Sequence, residues 1–170
     1  HNLGLSHDGA TTGCGTGGTS ACGYYSGKGA WAPIMGVGYY EPITHWSKGE
    51  YANANNTQDD YTVMASNGAA VVADTVGDTI AGASTAIDGS LPRAVTGEIT
   101  TPADVDVYRI TLPAGASTIT ARPAPTSPNL DIALTLTDPV GTVVATADPA
   151  SAYVAKDSAT GLDAAITTDP

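Results

Sequence analysis

The feature that most constrains this chain is its first nine residues, which carry two of its three histidines. His1 and His7 stand six positions apart, with Gly4 midway between them. Residues at this separation do not share one face of an α-helix. Gly4, however, can adopt a positive φ that ends a helix and turns the chain back. We therefore expect His1 to lie at a helix end and the two imidazoles to meet as nitrogen ligands that suit zinc.

A second segment, residues 33–36 (Pro-Ile-Met-Gly), predicts a tight turn that presents a methionine. Pro33 presets φ and Gly36 permits the bend, so that Met35 would offer an apolar, polarisable thioether. Taken alone, the two histidines could be solvated side chains, and the methionine could be an ordinary core residue in a turn.

Taken together, the two segments resemble the metzincin zinc peptidases, whose signature H-E-x-x-H-x-x-G-x-x-H is followed by a Met-turn. Asn2-Leu3 and the Asp8 that follows His7 are most similar to the reprolysin (adamalysin-like) branch. The resemblance implies that His1 and His7 are the second and third zinc ligands.

The same resemblance implies supporting roles for three residues and places the catalytic base outside this chain. Met35 would lie beneath the metal, Asp8 would brace the Met-turn, and Gly4 would provide the bend. The first histidine and the general-base glutamate would stand four and three positions before His1. We therefore expect no catalytic residue in this chain, and we expect the chain alone to cleave nothing.

Cys14 and Cys22, the only cysteines, lie close together in a loop rich in glycine, threonine and serine. The pair predicts a small-loop disulfide and with it an oxidising compartment, so we expect a secreted protein. A metal site is the alternative, but this spacing without further partners is not a standard ligand pattern.

The acidic balance of the chain limits the partners that it can bind. It has 170 residues with a formal net charge of −11, from 17 acidic against six basic residues. This charge argues against nucleic acid and anionic membrane surfaces, and no apolar run reaches the roughly 20 residues that span a bilayer. We expect a protein or peptide substrate, and the oligomeric state stays open.

Beyond the Met-turn, the sequence predicts one helix and then a change of period. Asp59 and Asp60 suit the first turn of a helix over about residues 58–66, which would close the peptidase domain. From Asn67 to about Pro92 the composition shifts to small and polar residues, which predicts a linker.

Alternating apolar residues then predict short strands. Tyr108 and Ile110 alternate, as do Leu134 and Leu136, and residues 138–141 (Asp-Pro-Val-Gly) predict a turn. Such strands are typical of an antiparallel β-sandwich. Three stretches resemble the bacterial pre-peptidase C-terminal domain, a sandwich appended to secreted peptidases: residues 104–108, 128–131 and 134–138.

The expected fold class is therefore the α+β C-terminal part of a metzincin catalytic domain joined to a truncated β-sandwich. Residues 1–74 would hold the peptidase part with the linker, and residues 75–170 the sandwich. Asp104, Asp106 and Asp131 are candidate calcium ligands, because calcium takes carboxylate oxygens.

The expected function is that of a fragment of a secreted bacterial zinc endopeptidase. In the family, hydrolysis of the peptide bond uses a zinc-activated water. The alternative is a non-enzymatic β-sandwich binding module that carries a dead peptidase remnant.

Overall fold

The computed structural model describes residues 1–14, 18–83, 85–87 and 93–169, and for residues 85–87 the backbone alone. Its regular elements are twelve short strands and one helix. The first strands are β1 (Ala10–Cys14), β2 (Ser20–Cys22), β3 (Trp31–Pro33) and β4 (Ile43–His45), followed by the helix α1 (Asp60–Ser66). The remaining strands are β5 (Thr85–Ile87), β6 (Tyr108–Ile110), β7 (Ser117–Ala121), β8 (Leu134–Thr137), β9 (Val143–Ala147), β10 (Ala152–Ala155), β11 (Ser158–Thr160) and β12 (Ala164–Thr168).

The strands of the described residues pair into six separate two-stranded sheets. The pairs β1–β2, β8–β9 and β10–β11 are antiparallel, and each joins strands that follow one another in the chain. The pairs β3–β4 and β5–β6 are parallel. In the remaining sheet β7 pairs with β12, and the hydroxyls of Thr118 and Thr167 lie 3.0 Å apart.

The chain divides into two compact units. Unit 1 comprises His1–Ala70, Ala121–Ala133 and Asp148–Ala164, and unit 2 comprises Val71–Thr120, Leu134–Ala147 and Ala165–Pro170. The hydrophobic core of unit 1 is built from Ala30, Ile43 and Leu162, with Trp31 and Ala159 packed against it. In unit 2, Val76 and Ile166 are the buried apolar residues among those described.

The predicted fold class is wrong, because the described residues form a β-rich fold with a single short helix. His1 does not end a helix: residues 2–4 form a turn, closed by a hydrogen bond from Gly4 N to His1 O of 2.8 Å. Gly4 does adopt a positive φ of 86°, but it reverses an irregular segment instead of ending a zinc-binding helix. A helix does stand within the predicted range 58–66, as α1, but one seven-residue helix does not make an α+β domain.

The predicted antiparallel β-sandwich is also wrong. A sandwich buries alternate residues of its strands between two stacked sheets. Here each strand pairs with a single partner, two of the pairs are parallel, and Val143 and Val144 of β9 are 59% and 56% exposed. The alternation in the sequence therefore indicated strands correctly, but not a shared buried face.

In the described residues, no helix has the length and apolar character needed to cross a membrane.

Candidate functional site

The two N-terminal imidazoles contact each other through their Nε2 atoms, in a T-shaped arrangement. His1 Nε2 and His7 Nε2 lie 2.6 Å apart, and the ring centroids are 4.4 Å apart with the planes at 79°. Both side chains are exposed. The sequence predicted this meeting, although a turn produces it and not a broken helix.

A backbone contact fixes the tautomer of His1. His1 Nδ1 lies 2.8 Å from the carbonyl oxygen of Leu5. Because a carbonyl only accepts hydrogen bonds, Nδ1 carries the proton, and Nε2 of the neutral ring keeps its lone pair. This arrangement, with a backbone carbonyl on the nitrogen away from the metal, is the usual support of a metal-binding histidine.

The side chain of Gln58 forms two hydrogen bonds with the backbone of the segment between the histidines. Ser6 N donates to Gln58 Oε1 over 2.8 Å, and Gln58 Nε2 donates to Gly4 O over 3.2 Å. Gln58 lies just before α1, so the start of the helix is tied to the loop that carries both imidazoles. Sequence reasoning missed this residue, because 52 or more positions separate it from its partners.

Asp8 is fully buried directly after His7 and contacts the methionine turn through its backbone. Asp8 N donates to Met35 O over 2.9 Å, and the turn is closed by Gly36 N donating to Pro33 O over 3.0 Å. Asp8 Oδ1 accepts from Asn56 Nδ2 over 3.0 Å, whereas Asp8 Oδ2 has no hydrogen-bond partner among the described residues. The two segments that the resemblance linked therefore lie side by side.

A second fully buried carboxylate, Asp60, lies near Asp8. Asp60 Oδ2 accepts from Ser47 N over 3.0 Å, and no residue in the described part of the chain forms a hydrogen bond with Asp60 Oδ1. Burial, and then the charge of Asp60, raise the pKa of Asp8 to about 6. Burial also raises the pKa of Asp60, although the Ser47 N–H opposes this rise. Asp60 was predicted as a first-turn residue of the helix, and its burial was not foreseen.

An aromatic group lies against the histidine pair. The Tyr24 ring packs on His7 with centroids 4.3 Å apart, and Tyr25 stacks on Tyr51 at 4.4 Å with planes 2° apart. The hydroxyl of Tyr51 donates to Gly9 O over 2.8 Å. Burial, followed by the charge of Asp8, raises the pKa of Tyr51 to about 12. No role was predicted for Tyr24.

The predicted disulfide is present. Cys14, the last residue of β1, is bonded to Cys22, the last residue of β2. Ala10 pairs with Cys22 in this hairpin. Gly23 and Tyr24, which follow β2, therefore lie beside the histidine segment.

His45, the third histidine, has a hydrogen-bond partner on each ring nitrogen. Trp31 Nε1 donates to His45 Nδ1 over 2.9 Å, and His45 Nε2 contacts the carbonyl oxygen of Asn129. Both nitrogens are thus used within unit 1, and His45 takes no part in the histidine pair.

The donor set of the pair fits part of a zinc site. Two nitrogens at about 2.0–2.1 Å from a tetrahedral zinc would lie roughly 3.3 Å apart, so the present 2.6 Å separation must open by less than 1 Å. A small rotation of the exposed His7 ring would open this distance, and zinc would bind the tautomer whose Nε2 carries no proton. Catalytic zinc sites have three protein ligands and a water, so in such a site the two imidazoles would be two of the three ligands.

A separate acidic group lies in unit 2. Ligand oxygens of Asp74, Asp104 and Asp106 all lie within 4.8 Å of one another. Tyr108 OH donates to Asp106 Oδ2 over 3.2 Å, and burial raises the pKa of Asp106. Two of the predicted calcium ligands are thus brought together with Asp74, which sequence reasoning missed, while the exposed Asp131 lies outside the group.

No protein-family model, no curated protein and no solved structure matches this chain.

Proposed function

We propose that this chain carries two of the three zinc-binding imidazoles of a secreted bacterial zinc endopeptidase of the metzincin type. The observation that supports this proposal best is the meeting of His1 Nε2 and His7 Nε2, with the proton of His1 held on Nδ1 by Leu5 O. Two unrelated surface histidines would have no reason to bring their Nε2 atoms together or to hold one ring in a single tautomer.

The surrounding residues would hold the pair in place. Asp8, adjacent to His7, is bonded to Asn56 through its carboxylate and to Met35 through its backbone. Zinc at such a site supplies a Lewis acid that activates water and polarises the peptide carbonyl. Asp8, the carboxylate next to His7 in the chain, is wholly buried and so is not positioned as a general base. The resemblance places that base, with the remaining ligand, before His1.

The compartment and the rest of the chain form the second part of the proposal. The disulfide is typical of proteins that fold in an oxidising environment, which supports secretion. The net charge of −11 disfavours nucleic acid and anionic membranes, leaving a protein or peptide as substrate. We propose that residues 75–170 are a non-catalytic, β-rich part of the same secreted protein, of which Ala121–Ala133 and Asp148–Ala164 belong to unit 1.

The first test is zinc binding by the chain as given, measured by competition with a chromophoric chelator. We expect one zinc per chain at the histidine pair. Loss of a residue that supports a metal ligand weakens metal binding about 10- to 100-fold. His1→Ala and His7→Ala each remove a ligand and should weaken zinc binding by more than this. His45→Gln is the matched control, because glutamine can both accept from Trp31 and donate to Asn129. Equal zinc affinity in all three variants would refute the site.

The second test concerns hydrolysis. The coding sequence immediately before His1 should specify His-Glu-x-x in frame, and the chain extended by those residues should cleave an unstructured peptide in a chelator-sensitive manner. Replacing that glutamate by alanine should abolish cleavage while zinc stays bound. A different residue at either position would favour the non-enzymatic alternative, a β-rich binding module with a dead peptidase remnant.

A further inference from the structure

The two histidines of the pair are held in different ways. His1 is anchored through Nδ1 to Leu5 O, whereas the described residues offer no hydrogen bond to His7 Nδ1. The ring contacts of His7 are with His1 and with Tyr24, whose centroid lies 4.3 Å away at an angle of 42°. The orientation of the His7 ring therefore depends on the Tyr24 ring.

The backbone holds Tyr24 in this place through its neighbour. Tyr25 N donates to Asp8 O over 2.7 Å, and Val37 N donates to Tyr25 O over 2.8 Å. The Tyr25 ring is stacked on Tyr51. These bonds connect the segment after the disulfide hairpin both to the residue next to His7 and to the end of the methionine turn.

The exposure of Tyr24 argues against a role in core packing. Its side chain is 50% exposed although it is a large aromatic group. A half-exposed ring contributes less to stability by burial than a core residue does. The contact of Tyr24 with His7 therefore suggests a role other than core packing.

We propose that Tyr24 is a positioning residue that keeps the His7 ring turned so that Nε2 faces His1 Nε2. The ring blocks rotation of His7 away from the pair and thereby lowers the entropy lost when the metal binds. This inference rests on the proposed zinc site. It assigns the positioning of a zinc ligand to a residue outside the peptidase signature.

The test compares Tyr24→Ala and Tyr24→Phe in the zinc competition measurement. Tyr24→Ala should weaken zinc binding about 2- to 10-fold, the range of one aromatic pair, and Tyr24→Phe should bind as the unmodified chain does. Tyr153→Ala is the matched control, since Tyr153 is 49% exposed and lies in β10, outside these contacts. A Tyr24→Ala variant with unchanged zinc affinity would overturn the inference.

A second measurement separates positioning from folding. In metal-free protein, the ring protons of His7 should carry a ring-current shift in NMR spectra that Tyr24→Ala removes and Tyr24→Phe retains. If the shift is the same in both variants, or if Tyr24→Phe binds zinc as weakly as Tyr24→Ala, the inference fails.

The failure of the zinc site itself would look different. If His1→Ala and His7→Ala bind zinc as well as the unmodified chain, the proposed site is wrong and no metal affinity depends on Tyr24. If both histidine variants lose binding and Tyr24→Ala does not, the site stands and the role of Tyr24 alone is refuted.

Discussion

The backbone N–H of Asp8 donates a 2.9 Å hydrogen bond to the carbonyl oxygen of Met35. This bond joins the histidine segment to the methionine turn, which lie 27 residues apart in the sequence. Since Asp8 follows His7 directly, a displacement of the turn would move the residue beside the imidazole. The bond therefore makes the geometry of the pair sensitive to the packing around Asp8.

Asn56 is the residue whose loss should disturb that packing most directly. Its amide donates to Asp8 Oδ1, and its own Oδ1 accepts from Gln58 N over 3.0 Å. Asn56→Ala should lower the free energy of unfolding by about 1–3 kcal/mol, because it leaves a buried carboxylate oxygen without a partner. Urea unfolding measures this loss. Asn2→Ala, at an exposed position, should change little, and a similar loss in both variants would contradict the prediction.

The burial of Asp60 predicts how stability depends on pH. Burial raises the pKa of this carboxyl in the folded chain, so the folded state binds the proton more tightly than the unfolded state does. Stability is then lost as pH rises through the interval between the two pKa values. Asp60→Asn should therefore be more stable than the unmodified chain at pH 8, with a difference that shrinks toward pH 4.

Urea unfolding at several pH values tests this dependence. Asparagine can still accept from Ser47 N through its carbonyl oxygen, so the observed hydrogen bond is retained. Asp157→Asn is the control, because Asp157 is exposed. If Asp60→Asn keeps the pH dependence of the unmodified chain, the argument from burial is wrong.

The disulfide should stabilise the chain through its unfolded state. The bonded cysteines are eight positions apart, and closing a loop of this length is worth about 2–3 kcal/mol in the chain-entropy description. Reduction should lower the free energy of unfolding by that amount. The double variant Cys14→Ser, Cys22→Ser should be equally destabilised and insensitive to reductant; a reductant effect in this variant would mean that the loss has another source.

The contact between Trp31 and His45 can be measured with a double-mutant cycle. His45→Ala leaves the indole N–H of Trp31 without its acceptor, and Trp31→Phe removes the donor. The two changes should couple by about 0.5–1.5 kcal/mol, the usual net value of one hydrogen bond. Thermal or urea unfolding of the two single variants, the double variant and the unmodified chain gives this energy. Strict additivity would show that the bond contributes nothing.

Features determined by neighbouring residues could be predicted from the sequence. The turn at residues 138–141 is present, with Asp138 Oδ1 accepting from Val140 N and Thr142 N. The disulfide and the strands at residues 108–110 and 134–137 were also predicted. The approximate range of the helix was also predicted, but Asp59, expected in its first turn, is the capping residue, and its carboxylate accepts from Thr62 N.

Features that depend on distant partners could not be predicted. Asn56 reaches Asp8 across 48 positions, and Thr44 N donates to Asn129 Oδ1 across 85. Local periodicity contains no information about which segment lies opposite, so the parallel pairs were also missed. The expected α+β class came from the family resemblance. The helices of that family, apart from α1, are not present in the part of the chain that the structure describes.

The two-stranded sheets have a consequence for hydrogen exchange. In the antiparallel pair β8–β9, Leu134 faces Ala147 and Leu136 faces Ala145. Along each strand of such a pair, alternate amide groups point toward the partner and the others point away from it. Backbone amides on the outer side have no bond within the sheet to slow their exchange with deuterium. Peptides covering these strands should therefore retain only about half of their amide protons at times when the amides between the two strands are still protected.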